Sequence, residues 1–355
     1  MSDWTLILGG GGFIGSHLAR HLLEDGQPVV ILDSLARTGA EGMLRRLRAE
    51  YGDMLELAIG DLRDRTALRR AVARSARIVN LAARTDTDGA LIDPHLDFEV
   101  NLRGTVDLLE ELRRADRPVP LLHCSTSKVY SALRRLQLIE LATRYAPVND
   151  WVAEHGVDEH WPLEVTSPYS CSRAAADQYV LEYARSFGLP AAVARIGCVY
   201  GPDGLGGEDQ CWISHWLEHA LERRSVTIDG DGKQVRDPLH IDDLVAALVG
   251  LLDHMDAVHG HAFNVGGGPD SAVSLRELLE LMSQVIGHPI PVAWTDWREG
   301  DARYYVANPS KLEAMTGWRP VVSLADGLGQ LAGWLLAARR TAEATGFATS
   351  GTVSA

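Results

Sequence analysis

Apolar residues gather in short runs through the first two hundred positions, and the stretches between the runs repeat their apolar residues at helical intervals. The runs are WTLIL at 4–8, VVILD at 29–33, LELAIGD at 55–61, RIVNLAA at 77–83, VPLLHCS at 119–125 and AAVARIG at 191–197. After the first run, Ile14, Leu18, Leu22 and Leu23 recur at helical spacing before Gly26, as a strand, a turn and a helix require. Strand and helix alternating in this way predict an α/β fold with a parallel sheet and helices on both faces.

Beyond residue 200 the regularity fades. The spacing predicts helices over 212–224, 243–252 and 275–286, the last opened by a capping box of Ser274 and Glu277. A further helix is expected from Asn308 as cap and Pro309 at its first position. Loops rich in glycine and aspartate separate these segments, so a smaller lobe built onto the sheet is expected. The division expected is 1–197 for the sheet domain, 198–340 for the lobe with parts returning to the sheet, and a flexible polar tail over 341–355. The sequence shows no internal repeat.

Composition narrows the partners. The 355 residues carry a formal net charge of -14, which argues against a nucleic-acid groove, because phosphate binding needs a clustered basic surface. Cys124, Cys171, Cys198 and Cys211 lack the paired spacing of a zinc site or a redox dithiol, so free thiols in a reducing cytoplasm and no metal are expected. Met1 leads into an apolar strand with no basic leader and no apolar stretch of membrane-spanning length, so a cytoplasmic protein without membrane contact is expected.

Gly9, Gly12 and Gly15 form a G-x-x-G-x-x-G turn between the first strand and the first helix. Such glycines let the backbone turn tightly and approach a pyrophosphate, which then sits at the helix N-terminus where free N–H groups point. The architecture expected is therefore a Rossmann doubly wound sheet with a smaller C-terminal substrate-binding lobe. Asp33 ends the second strand where a carboxylate can grip the adenosine ribose hydroxyls. A carboxylate there repels a 2′-phosphate and favours NAD over NADP, although Arg37 lies close by. Asp61 ends the third strand as either an acceptor for the adenine amino group or a plain strand-end residue.

The chemistry is carried by SPYSCSR at 167–173. Ser167 caps a helix with Pro168 at its first position, and Gly188 stops it. Tyr169 and Arg173 thus lie one turn apart on the same face. A free phenol ionises with a pKa of about 10, and a fixed neighbouring cation stabilises the phenolate so that it can serve as a base. Arginine supplies that charge but cannot lose a proton. Upstream, Ser125, Thr126 and Ser127 end a parallel strand at the sheet's carboxyl edge, where open α/β sheets bind ligands.

The glycine turn, GDLRD, NLAA, NLRGT, the Ser-Thr loop, the Tyr169 helix, VYGP, GKQVRDPLHIDDL and REGDARYYVANPSK appear in an order that resembles the extended short-chain dehydrogenase/reductase family of nucleotide-sugar epimerases and dehydratases. The likeness runs from about residue 4 to 335. Within the family, STSKVY, the segment 131–166 and GKQVRDPLH look most like enzymes that epimerise a CDP-hexose at C2. The resemblance implies a tightly held NAD, Thr126 and Tyr169 as the catalytic pair, and Arg173 in the place of the usual lysine. It also implies Phe13, Ile14, Leu62 and Ala82 as further cofactor contacts, Ser127, Cys198, Arg236 and Arg298 around the nucleotide sugar, and a homodimer. Ser127 and Lys128 stand where 4,6-dehydratases have an Asp-Glu pair, so water elimination lacks its acid and base. Three readings remain open: a C2 epimerase, a 4-epimerase or decarboxylase, and a non-catalytic NAD-binding sensor.

Overall fold

The computed structural model of the protein describes residues 4–131, 133–204, 211–298 and 300–345. Seven strands form one sheet: β1 (Thr5–Leu8), β2 (Val29–Asp33), β3 (Leu55–Ile59), β4 (Arg77–Asn80), β5 (Leu121–Thr126), β6 (Ala191–Ile196) and β7 (Ala262–Val265). Their order is β7-β6-β5-β4-β1-β2-β3, and every neighbouring pair is parallel. The chain starts at β1, winds outward to β3, then crosses to β4 on the other side of β1. That reversal opens a crevice at the carboxyl ends of β1 and β4, where sheets of this kind bind ligands. The doubly wound sheet read from the sequence is the one observed.

Successive residues of the strands face opposite cores. Ile7, Val29 and Ile31 pack into one apolar cluster, whereas Leu6, Leu8, Val30 and Leu32 pack into another on the other side of the sheet. Burial on both faces is why these strands are continuous apolar runs rather than alternating ones. β7 comes from the second half of the chain and extends the sheet beside β6.

The lobe has its own apolar core. Ile213 and Trp216 of the Trp212–Leu221 helix, Leu278 and Met282 of the Leu275–Ile286 helix, and Leu328 and Leu331 of the Leu324–Thr345 helix meet Ile228 of a strand at Val226–Asp229. The expected capping box is present: Glu277 N–H donates to Ser274 Oγ at 3.2 Å and Ser274 N–H to Glu277 Oε2 at 2.9 Å. The last helix runs through residues 341–345, and the rest of the expected tail lies outside the described residues. The helix expected from Asn308 and Pro309 begins one residue later, at Ser310, with Asn308 Oδ1 accepting from Ser310 N–H at 2.9 Å.

A buried ion pair fixes the Pro168–Phe187 helix to the sheet. Arg195 of β6 donates to both carboxylate oxygens of Asp177 at 2.8 and 2.9 Å, and to Tyr130 Oη at 2.5 Å. Tyr130 in turn donates to Asn264 Oδ1 of β7 at 3.1 Å. Helix, β6 and β7 are thereby locked in one register, which fixes where Tyr169 stands against the crevice.

Candidate active site

The Pro168–Phe187 helix starts as its sequence dictates. Ser167 Oγ accepts from Ser170 N–H at 3.1 Å, Ser170 Oγ accepts from Ser167 N–H at 3.0 Å, and Gly188 ends the helix in the left-handed conformation. Tyr169 and Arg173 fall in its first two turns, both buried. Arg173 reaches across to β5, where its Nη2 donates to the Cys124 carbonyl, while Nε and Nη1 have no protein acceptor. Its charge and full burial hold the neighbouring His123 well below the ordinary histidine range, burial being the larger cause. His123 is therefore neutral, and Arg173 is the cation under this part of the sheet.

β5 ends at Thr126, whose Oγ1 accepts from Lys128 N–H at 3.2 Å and so caps a single helical turn, Ser127–Tyr130. That turn carries Lys128 back over the site: its Nζ donates to Thr87 Oγ1 at 2.9 Å and lies 5.7 Å from the centre of the Tyr169 ring. Sequence reading took Lys128 only as a missing acid. Its part in the site depends on Thr87, forty-one positions away, which spacing alone does not bring near.

One cavity of about 810 Å³ joins these groups to the glycine turn and to the lobe. Thr126, Ser127, Tyr169 and Arg173 line its middle; Gly9, Gly12, Phe13, Ile14, Gly15, Asp33, Asp61, Leu62 and Ala82 line one part, and Cys198, Arg236 and Arg298 another. All the residues singled out from the sequence thus face a single space. Its volume lies within the range of cofactor and ligand sites.

The three glycines of the turn are needed for different reasons. Gly9 has φ +80°, and a Cβ on it would fall 2.8 Å from Ala82 N; a Cβ on Gly15 would fall 2.5 Å from the Gly9 carbonyl oxygen. Both are required by the protein's own packing. Gly12 is not: its φ is -79°, and a Cβ would meet nothing closer than the Gly9 carbonyl oxygen at 3.4 Å. It lines the cavity, so a side chain there would take up ligand space. That cradle at a helix N-terminus, together with the two acceptorless donors of Arg173, fits a dinucleotide carrying a pyrophosphate and ribose hydroxyls.

Asp33 also stabilises the turn, accepting from Gly11 N–H and Leu35 N–H at 2.8 Å each. Asp61 is gripped by Arg63 through two side-chain bonds of 2.8 Å, which hold its carboxyl below the ordinary range. At the lobe end, Arg236 Nη2 donates to Asp301 Oδ1 at 2.7 Å and Arg298 Nε lies 3.4 Å from Asp229 Oδ2. Each arginine is held at the wall by a carboxylate, and a guanidinium is the group that pairs with phosphate oxygens in a bidentate way. Burial pushes the Cys198 thiol up to about 12, so it faces the cavity protonated. All four cysteines are free thiols. Among the described residues no group of side chains could hold a metal, and no helix is long and apolar enough to cross a membrane.

Known proteins share this fold. The sequence profile of the NAD dependent epimerase/dehydratase family matches residues 5–266. The CDP-paratose 2-epimerase of Salmonella typhi is 35% identical over 336 residues, 93% of this chain and 98% of that one. The crystal structure of the UDP-glucose 4-epimerase of Thermus thermophilus in complex with NAD superposes with a TM-score of 0.77 at 31% identity, covering 94% of this chain and 99% of that one. DesIV, the dTDP-glucose 4,6-dehydratase of Streptomyces venezuelae, has a TM-score of 0.80 at 29% identity over 95% and 98% of the two chains. With the doubly wound sheet, the glycine cradle and the tyrosine helix in place, the chain belongs to the NAD-dependent epimerase/dehydratase family and uses NAD as its cofactor.

Proposed function

We propose that the protein is a nucleotide-sugar epimerase that inverts C2 of a CDP-hexose through a transient 2-ketone. The observation that carries the reaction class is the meeting of Tyr169, Thr126 and Arg173 with the glycine cradle and two lobe arginines in one cavity. The choice of C2 and of a cytidine nucleotide is supported by the likeness to the Salmonella typhi enzyme along nearly the whole of both chains. A dehydratase reading is disfavoured chemically. Elimination of water needs a carboxylate to take the C5 proton, and the residues after Thr126 are Ser127 and Lys128.

NAD, when bound, supplies the acceptor and then the donor for the hydrogen at C2. Gly9, Gly12 and Gly15 would hold its pyrophosphate, Asp33 its adenosine ribose, and Arg173 the ribose hydroxyls near the reacting carbon. Tyr169, as phenolate, takes the proton of the C2 hydroxyl; the O–H electron pair stays on the sugar oxygen and becomes part of the C=O bond as C2 loses its hydrogen. Thr126 bonds the same oxygen and keeps it in reach of the phenol. Arg236 and Arg298 hold the diphosphate while the sugar turns its other face. Tyr169 then returns its proton as the ketone is reduced, so no acid, base or cofactor is consumed.

The test is the fate of the C2 hydrogen. A CDP-hexose carrying deuterium at C2 is expected to give an epimer of unchanged mass with the label retained and with no solvent hydrogen incorporated at C2. A primary isotope effect at C4 with none at C2 assigns the reaction to a 4-epimerase instead. Entry of solvent deuterium at C5 points to carbanion chemistry and rejects the 2-ketone.

A further inference from the structure

We propose that Lys128 is the second cation of the catalytic centre, a positioning residue that stabilises the charge on Tyr169 while the phenol takes and returns the sugar's proton. The proposal rests on the epimerase reading above. Helical spacing assigns that work to Arg173, but the structure gives Arg173 a different posture. Its side chain is buried and anchored through Nη2 to the Cys124 carbonyl of β5. Lys128 instead stands over the phenol, with Nζ 5.7 Å from the ring centre.

Bonds to two threonines hold it there. Thr126 Oγ1 accepts the Lys128 N–H at 3.2 Å and sets the turn, and Thr87 Oγ1 accepts from Nζ at 2.9 Å. The negative charge of a phenolate spreads over its ring, so a cation above the ring face stabilises the ionised form more than the neutral one. The bond to Thr87 keeps the Lys128 ammonium over the ring face, whereas the Arg173 guanidinium is anchored to the Cys124 carbonyl of β5. Arg173 thus places its charge beside the cofactor site, and Lys128 places its own over the phenol ring. Among the described residues, Arg84 and Asp86 line the same cavity after β4, and Asp97 is buried and bonded to Ser172 on the tyrosine's own helix.

In the step itself the proton passes from the sugar hydroxyl to Tyr169 Oη, and Lys128 keeps its own protons throughout. Its contribution is therefore visible as a change in the pH at which Tyr169 is an effective base, with the rate above that pH preserved.

Two readouts on Lys128→Met and Lys128→Arg, each first checked for bound NAD, test this. The pH dependence of kcat is expected to show Lys128→Met about tenfold slower at neutral pH, its acid limb moved about one pH unit to the alkaline side and its rate recovered at high pH. Lys128→Arg is expected to keep the wild-type limb. The second readout is the ultraviolet difference between each protein and its counterpart also carrying Tyr169→Phe, which follows ionisation of that phenol and needs no sugar. The same alkaline displacement of about one unit is expected in Lys128→Met and none in Lys128→Arg. An unmoved ionisation midpoint overturns the proposal, as does a loss of rate that is uniform across pH. Because the second readout works without substrate, a wild-type protein inactive on every nucleotide sugar overturns the epimerase reading without touching this measurement.

Discussion

Arginine at position 173 alters what the catalytic helix can do by one property: it cannot give up its proton. In the proposed epimerisation, which returns every proton it takes, that restriction costs nothing, since Tyr169 would hand its proton back to the same sugar. A buried cation with two donors lacking protein acceptors is expensive unless a ligand satisfies them, which ties Arg173 to the cofactor's hydroxyls. Arg173→Lys is accordingly expected to keep measurable epimerase activity. Arg173→Met should lose at least about tenfold in kcat, the value of one favourable charge contact of about 1.4 kcal/mol, and Tyr169→Phe should lose far more because no base remains. Initial rates on NAD-loaded protein decide this. Equal rates in the wild type and Arg173→Met make the arginine a bystander. At this scale the site was legible from residue types: Tyr169, Thr126 and the glycines carry chemistry that few other positions can. Lys128 was not, because its meaning lies in a bond to Thr87 and in its height over a ring.

Among the elements, the Pro168–Phe187 helix is the one on which the site depends. Its start and end were readable because the cap serine, the first-turn proline and the terminal glycine each satisfy a local backbone need. What holds it in place was not readable. Asp177 is fully buried and paired to Arg195 of β6, and a helix read alone presents that aspartate as one more polar position. Asp177→Ala leaves Arg195 charged, buried and uncompensated, and is expected to cost about 3–5 kcal/mol. The loss should appear in urea unfolding as a lower midpoint with an unchanged slope. A change under about 1 kcal/mol would mean that Tyr130 alone satisfies the guanidinium. Other elements escaped sequence reading, among them β7, an edge strand that lies in the less regular half of the chain, and the Phe98–Arg103 segment, a π-helix whose backbone pattern leaves no distinct spacing in the sequence.

For the molecule as a whole, one buried acid ties three distant segments together. Asp237 is fully buried, with Oδ2 accepting from Gly268 N–H at 3.1 Å and Ala307 N–H at 3.0 Å while Oδ1 has no partner. Burial pushes its carboxyl up to about 7, against the two backbone bonds that oppose the shift. The folded protein therefore binds this proton more tightly than the unfolded chain does. The sign follows: stability from this group is complete below about pH 4 and is lost as pH rises toward about 7, above which the loss is constant. Asp237→Asn keeps an acceptor for both N–H groups and cannot ionise. Relative to that variant, the wild type is expected to lose on the order of a few kcal/mol between about pH 4 and 7, measured as the difference between their urea midpoints at each pH. Parallel curves would show that the carboxylate is ionised in the fold without penalty.

The sequence by itself determined the architecture and the cast of the site. Runs of strand length alternating with helical periods leave a parallel, doubly wound sheet as the way to bury both faces, and the glycine turn, Asp33 and the Tyr169 helix follow from local backbone and chemical requirements. Each of these features is written in a short stretch of consecutive residues, so pattern alone carries it. Tertiary structure decided the rest. It set Gly12 apart as the cavity glycine that the protein's own packing does not require, turned Arg173 onto the Cys124 carbonyl, brought Lys128 over the phenol by way of Thr87, and buried Asp177, Arg195 and Asp237. Each of these depends on groups that meet only when distant segments pack. Burial then sets how strongly a charge or a hydrogen bond acts, and no property of the residue alone contains it.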